Sequence, residues 1–244
     1  MLNSRDTIGT INLGTQDKDG PLPLLLVLLT VVTGVVDAVS FLKLGNVFVA
    51  NMTGNVVFGG FAIAGVEAFW SPASFIAIAA FLAGAIAAGR LRSLIGHHRS
   101  RHLAIATLIQ TVLVAAAAVV AMPSLDPDDR VARYVLIVLL ALAMGIQNTT
   151  AFHLRIPNLT TTVLTLTLTG LAADSIFSGG GKSQTGRRLM AVGAMFLGAA
   201  LGAILVSRSG VGAALALALT LLVFVCIGAH RHWSSSANWT AQAK

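Results

Sequence analysis

Asp37 is the one acid set well inside an apolar run of this sequence, in "GVVDAVSF" beginning at Gly34. A carboxylate at such depth is costly in a bilayer and marks an ion or proton pathway by default. Counted from Pro23 at about 1.5 Å per residue, it lies roughly 21 Å along a helix, past the middle of a hydrocarbon core of about 30 Å. Just downstream, "LGNVFVANMTGN" brings Asn51, Thr53 and Asn55 close together beside Gly45 and Gly54. A continuous lipid-facing helix gains nothing from these residues. A backbone that breaks at membrane depth does, because its unpaired N–H and C=O groups need partners that Asn and Thr side chains supply.

A second polar cluster, "IPNLTTTVLTLTLTG", has Pro157 and an N-cap candidate in Asn158, which predict a helix from near Leu159 with Thr162, Thr165 and Thr169 on one face. Thr165, Thr167 and Thr169 also alternate as a strand would; length and the cap favour the helix. The chemistry these groups suit is binding. Asn51, Thr53, Asn55, Thr162 and Thr165 would line a site for a small solute, Gln147 and Asn148 in "GIQNTTAF" would face the same cavity, and Asp37 would couple a proton or cation. Each has a packing alternative, since polar and small residues also join membrane helices. For Asp37 the alternative is a hydrogen-bonded carboxyl fixing the turn before the broken segment; for Gln147 and Gln110 it is an interhelical hydrogen bond.

Other motifs carry less. "GHHRSRH" groups His97, His98 and His102 without carboxylates and among arginines, whose charge opposes a cation, so it reads as a basic cytoplasmic loop. "GGGKSQTGRR" has Ser175 where a phosphate loop needs its first glycine. Cys226, the single cysteine, lies in the last apolar block, which leaves no disulfide and no Cys-based metal site. No apolar block pairs His with Ser, Cys or a carboxylate at catalytic spacing, His153 being the best candidate base. The expectation is a protein without catalysis, metal or cofactor.

The elements that must hold these residues follow from composition. Of 244 residues 56% are hydrophobic and 10% charged, with mean hydropathy +0.84, far from a soluble domain. Apolar segments fall at 23–42, 47–66, 75–93, 103–122, 134–152, 159–176, 189–207 and 211–229. Eight full crossings would divide the Lys and Arg almost evenly. If 47–66 and 159–176 enter without crossing, and the N-terminus is cytoplasmic, only Lys43, Arg130, Arg133 and Arg208 of the 16 fall outside, a normal positive-inside bias. The excess of basic residues therefore serves orientation and headgroup contact and not nucleic acid.

The halves on either side of "PSLDPDDR" resemble each other: "GVVDAVSF" answers "GIQNTTAF", and "FLAGAIAAG" at Phe81 answers "FLGAALGA" at Phe196. With three crossings each, they would be inverted repeats. The expected organisation is a disordered cytoplasmic tail over 1–22, a first repeat over 23–123, an acidic external loop over 124–133, a second repeat over 134–230 and a cytoplasmic tail over 231–244. Gly84 with Ala88 and Gly198 with Gly202 are small-residue faces for close helix packing, between repeats or in a homo-oligomer.

"TGVVDAVSFLKLGNVFVANMTGN" and "AMGIQNTTAFHLRIPNLTTTVLTLTLTGLAAD" resemble the YoaK-like family of bacterial integral membrane proteins, over about residues 24–207. The resemblance implies a multi-pass protein of the bacterial inner membrane and no particular substrate. Residues and resemblance together predict an all-α carrier of a small solute, six full transmembrane helices with two broken ones. A non-transporting scaffold or accessory subunit is the first alternative, and an intramembrane enzyme the more remote one.

Overall fold

The computed structural model describes residues 19–66, 72–96, 98–121, 130–156, 164–173, 185–235 and 237–240. These form eight α-helices: α1 (Leu22–Lys43), α2 (Met52–Ile63), α3 (Ala73–Ile95), α4 (Arg99–Val120), α5 (Arg130–Leu154), α6 (Leu164–Ala173), α7 (Thr185–Ser209) and α8 (Val211–His230). A 3-10 turn follows at Asn238–Thr240. All but α2 and α6 are long and apolar enough to cross a bilayer. The 12 residues of α2 reach only about 18 Å at 1.5 Å per residue, little more than half the hydrocarbon core, and the 10 described residues of α6 span about 15 Å. The protein is a polytopic helical membrane protein with, among the described residues, six long apolar helices and two shorter ones.

Several boundaries differ from the expected ones. Residues 44–51 are not helical, so α2 starts at Met52 and not at 47. α4 takes in Arg99 to His102, residues expected in a basic loop, and α5 includes Arg130, inside the expected external loop. The polar N-terminal tail ends at Pro21, and the helix start predicted near Leu159 lies outside the described residues.

Two ion pairs bear on how many times the chain crosses. Asp19 accepts from Arg99 at 3.3 Å and from Arg187 at 3.4 Å. The starts of α1, α4 and α7 therefore share one end, whereas eight crossings would put the start of α4 opposite the other two. Cysteines at Ser93 and Gly186, both exposed, should accordingly be labelled from the same face in a Cys226→Ala background, and a cysteine at Ser209 from the other. Labelling of Ser93→Cys and Gly186→Cys from opposite faces would overturn the six-span topology. Ser100 is unsuitable for this test because its buried hydroxyl donates to the Ala229 carbonyl at 2.9 Å.

α1 and α5 form the centre, with 78% and 61% of their apolar windows buried against 28% for α3, α7 and α8. α7 packs along α1 and α3 along α5; α4 and α8 pack on each other and bridge the centre. α2 rests on α3 and α6 on α7, at the periphery. The long helices turn Leu82, Ile86, Val112, Phe196 and Phe224 outward, a surface that only lipid would cover without penalty.

Glycines set the two closest helix contacts. A Cβ on Gly34 would lie 2.5 Å from the Met195 carbonyl oxygen and 2.6 Å from the Ala199 nitrogen, and one on Gly198 would collide with the Val31 carbonyl. On the other pair, a Cβ on Gly145 would collide with the Phe81 carbonyl and one on Gly84 with that of Leu142. The two sets correspond: 111 residues separate Gly34 from Gly145 and Val31 from Leu142, and 114 separate Phe81 from Met195 and Gly84 from Gly198. These small-residue faces are filled by helices of the same chain. Association of copies through such faces would have to use open ones, as at Gly89 and Gly193, where a Cβ meets nothing within 4 Å.

Candidate functional site

The break between α1 and α2 is built from a few residues. α1 ends at Lys43, and the chain reverses through Gly45 at φ 96° and Asn46 at φ 56°, left-handed conformations that glycine and asparagine adopt most readily. Val47 to Ala50 then return along α1. Their buried amides, outside any helix, meet Asp37: its Oδ1 accepts from Val49 N at 3.0 Å and Ala50 N at 2.9 Å, and its Oδ2 accepts from the Asn51 side-chain amide. Asn51 is the N-cap residue of α2, yet its side chain makes no cap bond, since it is committed to Asp37. Asn55, in the first turns of α2, closes the loop by accepting from Phe48 N at 3.0 Å and donating to Phe48 O at 2.5 Å. Phe48 stacks on Phe41 with centroids 4.9 Å apart and on Phe58 at 6.4 Å, so an aromatic column covers the polar latch. Gly54 leaves room for the Phe48 ring, whose edge would lie 2.7 Å from a Cβ there.

Asp37, Asn51 and Asn55 are thus brought together, and all three hold the interrupted backbone. The other candidates go elsewhere. Thr53 is exposed on α2. Gln147 accepts from Gln110 at 2.6 Å and donates to Thr33 at 2.7 Å and to the Leu29 carbonyl at 3.2 Å, a fully buried network joining α1, α4 and α5. Asn148 donates to the Met144 carbonyl of its own helix at 3.1 Å. On α6, Thr165 is exposed, while Thr167 turns inward. Thr162 lies outside the described residues.

A second polar centre, unexpected from the sequence, lies at the end of the bundle carrying most of the arginines. Arg99 and His102, placed one turn apart at the start of α4, are both buried. Arg99 donates to the Leu154 carbonyl, satisfying the last turn of α5, and also to Asp19 and to the Trp239 carbonyl, each at 3.3 Å. Arg101 donates to the Trp233 carbonyl at 3.0 Å and lies over its ring, and a ring nitrogen of His98 is 3.1 Å from the Ser235 carbonyl. Residues after α8 are therefore folded back across the start of α4. The Arg99–His102 spacing of three, one helical turn, was the available signal; the neighbouring arginines disguised it as a solvated loop. Among the described residues, no group of three His, Cys, Asp or Glu could hold a metal ion.

Comparison with known proteins agrees with this architecture. A family model described as "Protein of unknown function (DUF1275)" matches residues 25–228, from the start of α1 to the end of α8. The chain belongs to this family. It is 35% identical over 155 residues to the UPF0700 transmembrane protein YoaK of Bacillus subtilis (strain 168), a match spanning 62% of this chain and 65% of that relative. No solved structure matches the chain. Family membership and the six long apolar helices make it a multi-pass bacterial membrane protein.

Proposed function

We propose that the protein is a carrier of a small solute, built as an inverted duplication in which α1–α4 and α5–α8 are the repeats. The observation that carries this reading is the matched pair of short helices. α2 hangs on α3 and α6 on α7, and connectivity brings them in from opposite faces. The 111- and 114-residue correspondence between the two glycine contacts supports the duplication. Interrupted helices at equivalent places of two inverted halves are how many secondary transporters expose backbone groups to a solute. In this reading α2 and α6 are the moving parts. Asp37 couples a proton or cation to transport by gripping or releasing the Val49 and Ala50 amides, so its latch and its coupling role are one device.

A scaffold or accessory subunit is the second reading. It is favoured by the way Asp37, Asn51, Asn55, Gln110 and Gln147 all bond to one another or to backbone. Purified protein in proteoliposomes separates the two. A carrier gives saturable, protein-dependent uptake of at least one member of a panel of amino acids, sugars and organic acids, accelerated by an imposed pH or sodium gradient. Silence across that panel from folded, correctly oriented protein would favour the scaffold.

A further inference from the structure

Helix packing divides the molecule along a line that is not the boundary between the proposed repeats. α1 packs on α7 and α8, with α6 on α7; α5 packs on α3 and α4, with α2 on α3. Each repeat thus lends its first helix to the other, giving one half of α1, α6, α7 and α8 and another of α2, α3, α4 and α5. Among the described residues, helix contact between these halves comes chiefly from α4 on α8, with a slight touch of α1 on α5.

The contacts inside the halves and those between them differ in chemistry. Inside, glycine seams set backbone against backbone, at Gly34 and Gly198 in one half and at Gly84 and Gly145 in the other. Between the halves, hydrogen bonds recur at three levels. Gln147 of α5 donates to Thr33 and to the Leu29 carbonyl of α1. Thr33 lies eleven residues past the start of α1, about 16 Å at 1.5 Å per residue and so near the middle of a core of about 30 Å. At the arginine-rich end, Arg99 donates to Asp19 ahead of α1, Ser100 to the Ala229 carbonyl of α8 and Arg101 to the Trp233 carbonyl beyond it, so each bond runs from the start of α4 to the other half. Arg187 of α7 meanwhile holds Asp19 within its own half. Towards the opposite end, Asp37 of α1 grips the segment that leads into α2. Hydrogen bonds at a boundary can be exchanged one by one for bonds to water, whereas a close-packed seam loses its contacts outright on parting.

We propose that the moving units of the carrier are these two interlocked halves and not the sequence repeats, and that the solute passes between them at the level of Thr33 and Gln147. The inference rests on the carrier reading. α2 and α6 ride on opposite halves and are carried apart when the halves part. The Asp19–Arg99 pair closes the end that positive-inside bias assigns to the cytoplasm, and the Asp37 latch closes the other. Rocking of one bundle against another around a central site is a common route to alternating access.

The test is thiol labelling of the full chain in native membranes with a small water-soluble methanethiosulfonate. In a Cys226→Ala background, Thr33→Cys reports on the boundary. Ala77→Cys on α3 and Ala191→Cys on α7 are the controls, at positions buried inside one half each. Thr33→Cys should react, and Asp19→Asn should speed that reaction about tenfold or more, as loss of a charge-assisted hydrogen bond shifts an opening equilibrium. Both controls should stay unreactive with and without Asp19→Asn. Should Thr33→Cys fail to fold, native Cys226 decides: its thiol lies 3.8 Å from the Ala104 carbonyl across the boundary, and Asp19→Asn alone should speed its labelling by a similar factor. A Thr33→Cys protein no more reactive than the controls overturns the proposal, as does equal acceleration at all three positions, which would mean general loosening. The carrier reading fails separately. Reaction at Thr33→Cys without uptake in proteoliposomes keeps the parting halves and removes the carrier; uptake with Thr33→Cys unreactive keeps the carrier and removes this path.

Discussion

Leucine at Gly145 or at Gly34 is expected to abolish the folded protein, and alanine at either to lower its stability by about 3 kcal/mol, the upper part of the range for overpacking a tight contact. At Gly145 the obstacle is the Phe81 carbonyl, and at Gly34 it is the Met195 carbonyl with the Ala199 nitrogen. Backbone atoms cannot rotate aside as a side chain can, so α3 would have to withdraw from α5, or α7 from α1, along the whole contact. Gly60→Ala and Gly89→Ala are the controls, since a Cβ at those positions meets nothing within 4 Å. They should match the parent or gain up to about 1 kcal/mol from alanine's better helix propensity. Thermal unfolding and size-exclusion behaviour in detergent give the answer. A monodisperse Gly145→Leu protein melting like the parent would mean that the helices do not approach as closely as described.

The second large effect is expected at Asp37. Asp37→Ala strands the Val49 and Ala50 amides and the Asn51 side chain together. At roughly 1–3 kcal/mol for each buried donor left unpaired, a loss of about 4 kcal/mol is expected. Asp37→Asn keeps one carbonyl oxygen and points an NH2 at donors, so it should lose about half as much. Asn148 stands at the equivalent place in the second half. Asn148 bonds to Met144 within its own helix, whereas Asp37 holds a loop 12 residues away. Hydrogen exchange gives the sharper measurement: the Val49 and Ala50 amides should lose protection in Asp37→Asn while amides in the middle of α4 keep theirs. Unchanged protection at Val49 and Ala50 would sink the latch.

How much of this could be read from the chain depended on the range of the interaction. The six spans and two short helices follow from local hydropathy combined with a charge count, and the Asp19 bridge from Arg99 to Arg187 agrees with that count. The break at residues 44–51 was legible because glycine and asparagine at 45 and 46 have local conformational reasons to be there. Which partners the polar residues take was not legible. Thr165 and Thr167 differ only in which way the helix turns them, and Gln147 finds Gln110 on another helix, a contact no spacing rule encodes. Arg99 and His102 look like solvated charge until the residues after α8 fold back over them.

The pairing of α1 with α7 and of α3 with α5 also bears on how the protein is made. Gly34 leaves the ribosome about 160 residues before Gly198, the residue whose helix fits against it. At synthesis rates of about 5–20 residues per second, that gap lasts roughly 8–30 s. During it α1, the most enclosed helix of the finished protein, sits in the bilayer with its glycine face open, while its carboxylate can already be occupied by the nearby loop. The latch at Asp37 is local and can close at once; the helix seam must await the last quarter of the chain. Early closure of the latch removes the most lipid-averse group from the hydrocarbon while the nascent protein is still half assembled.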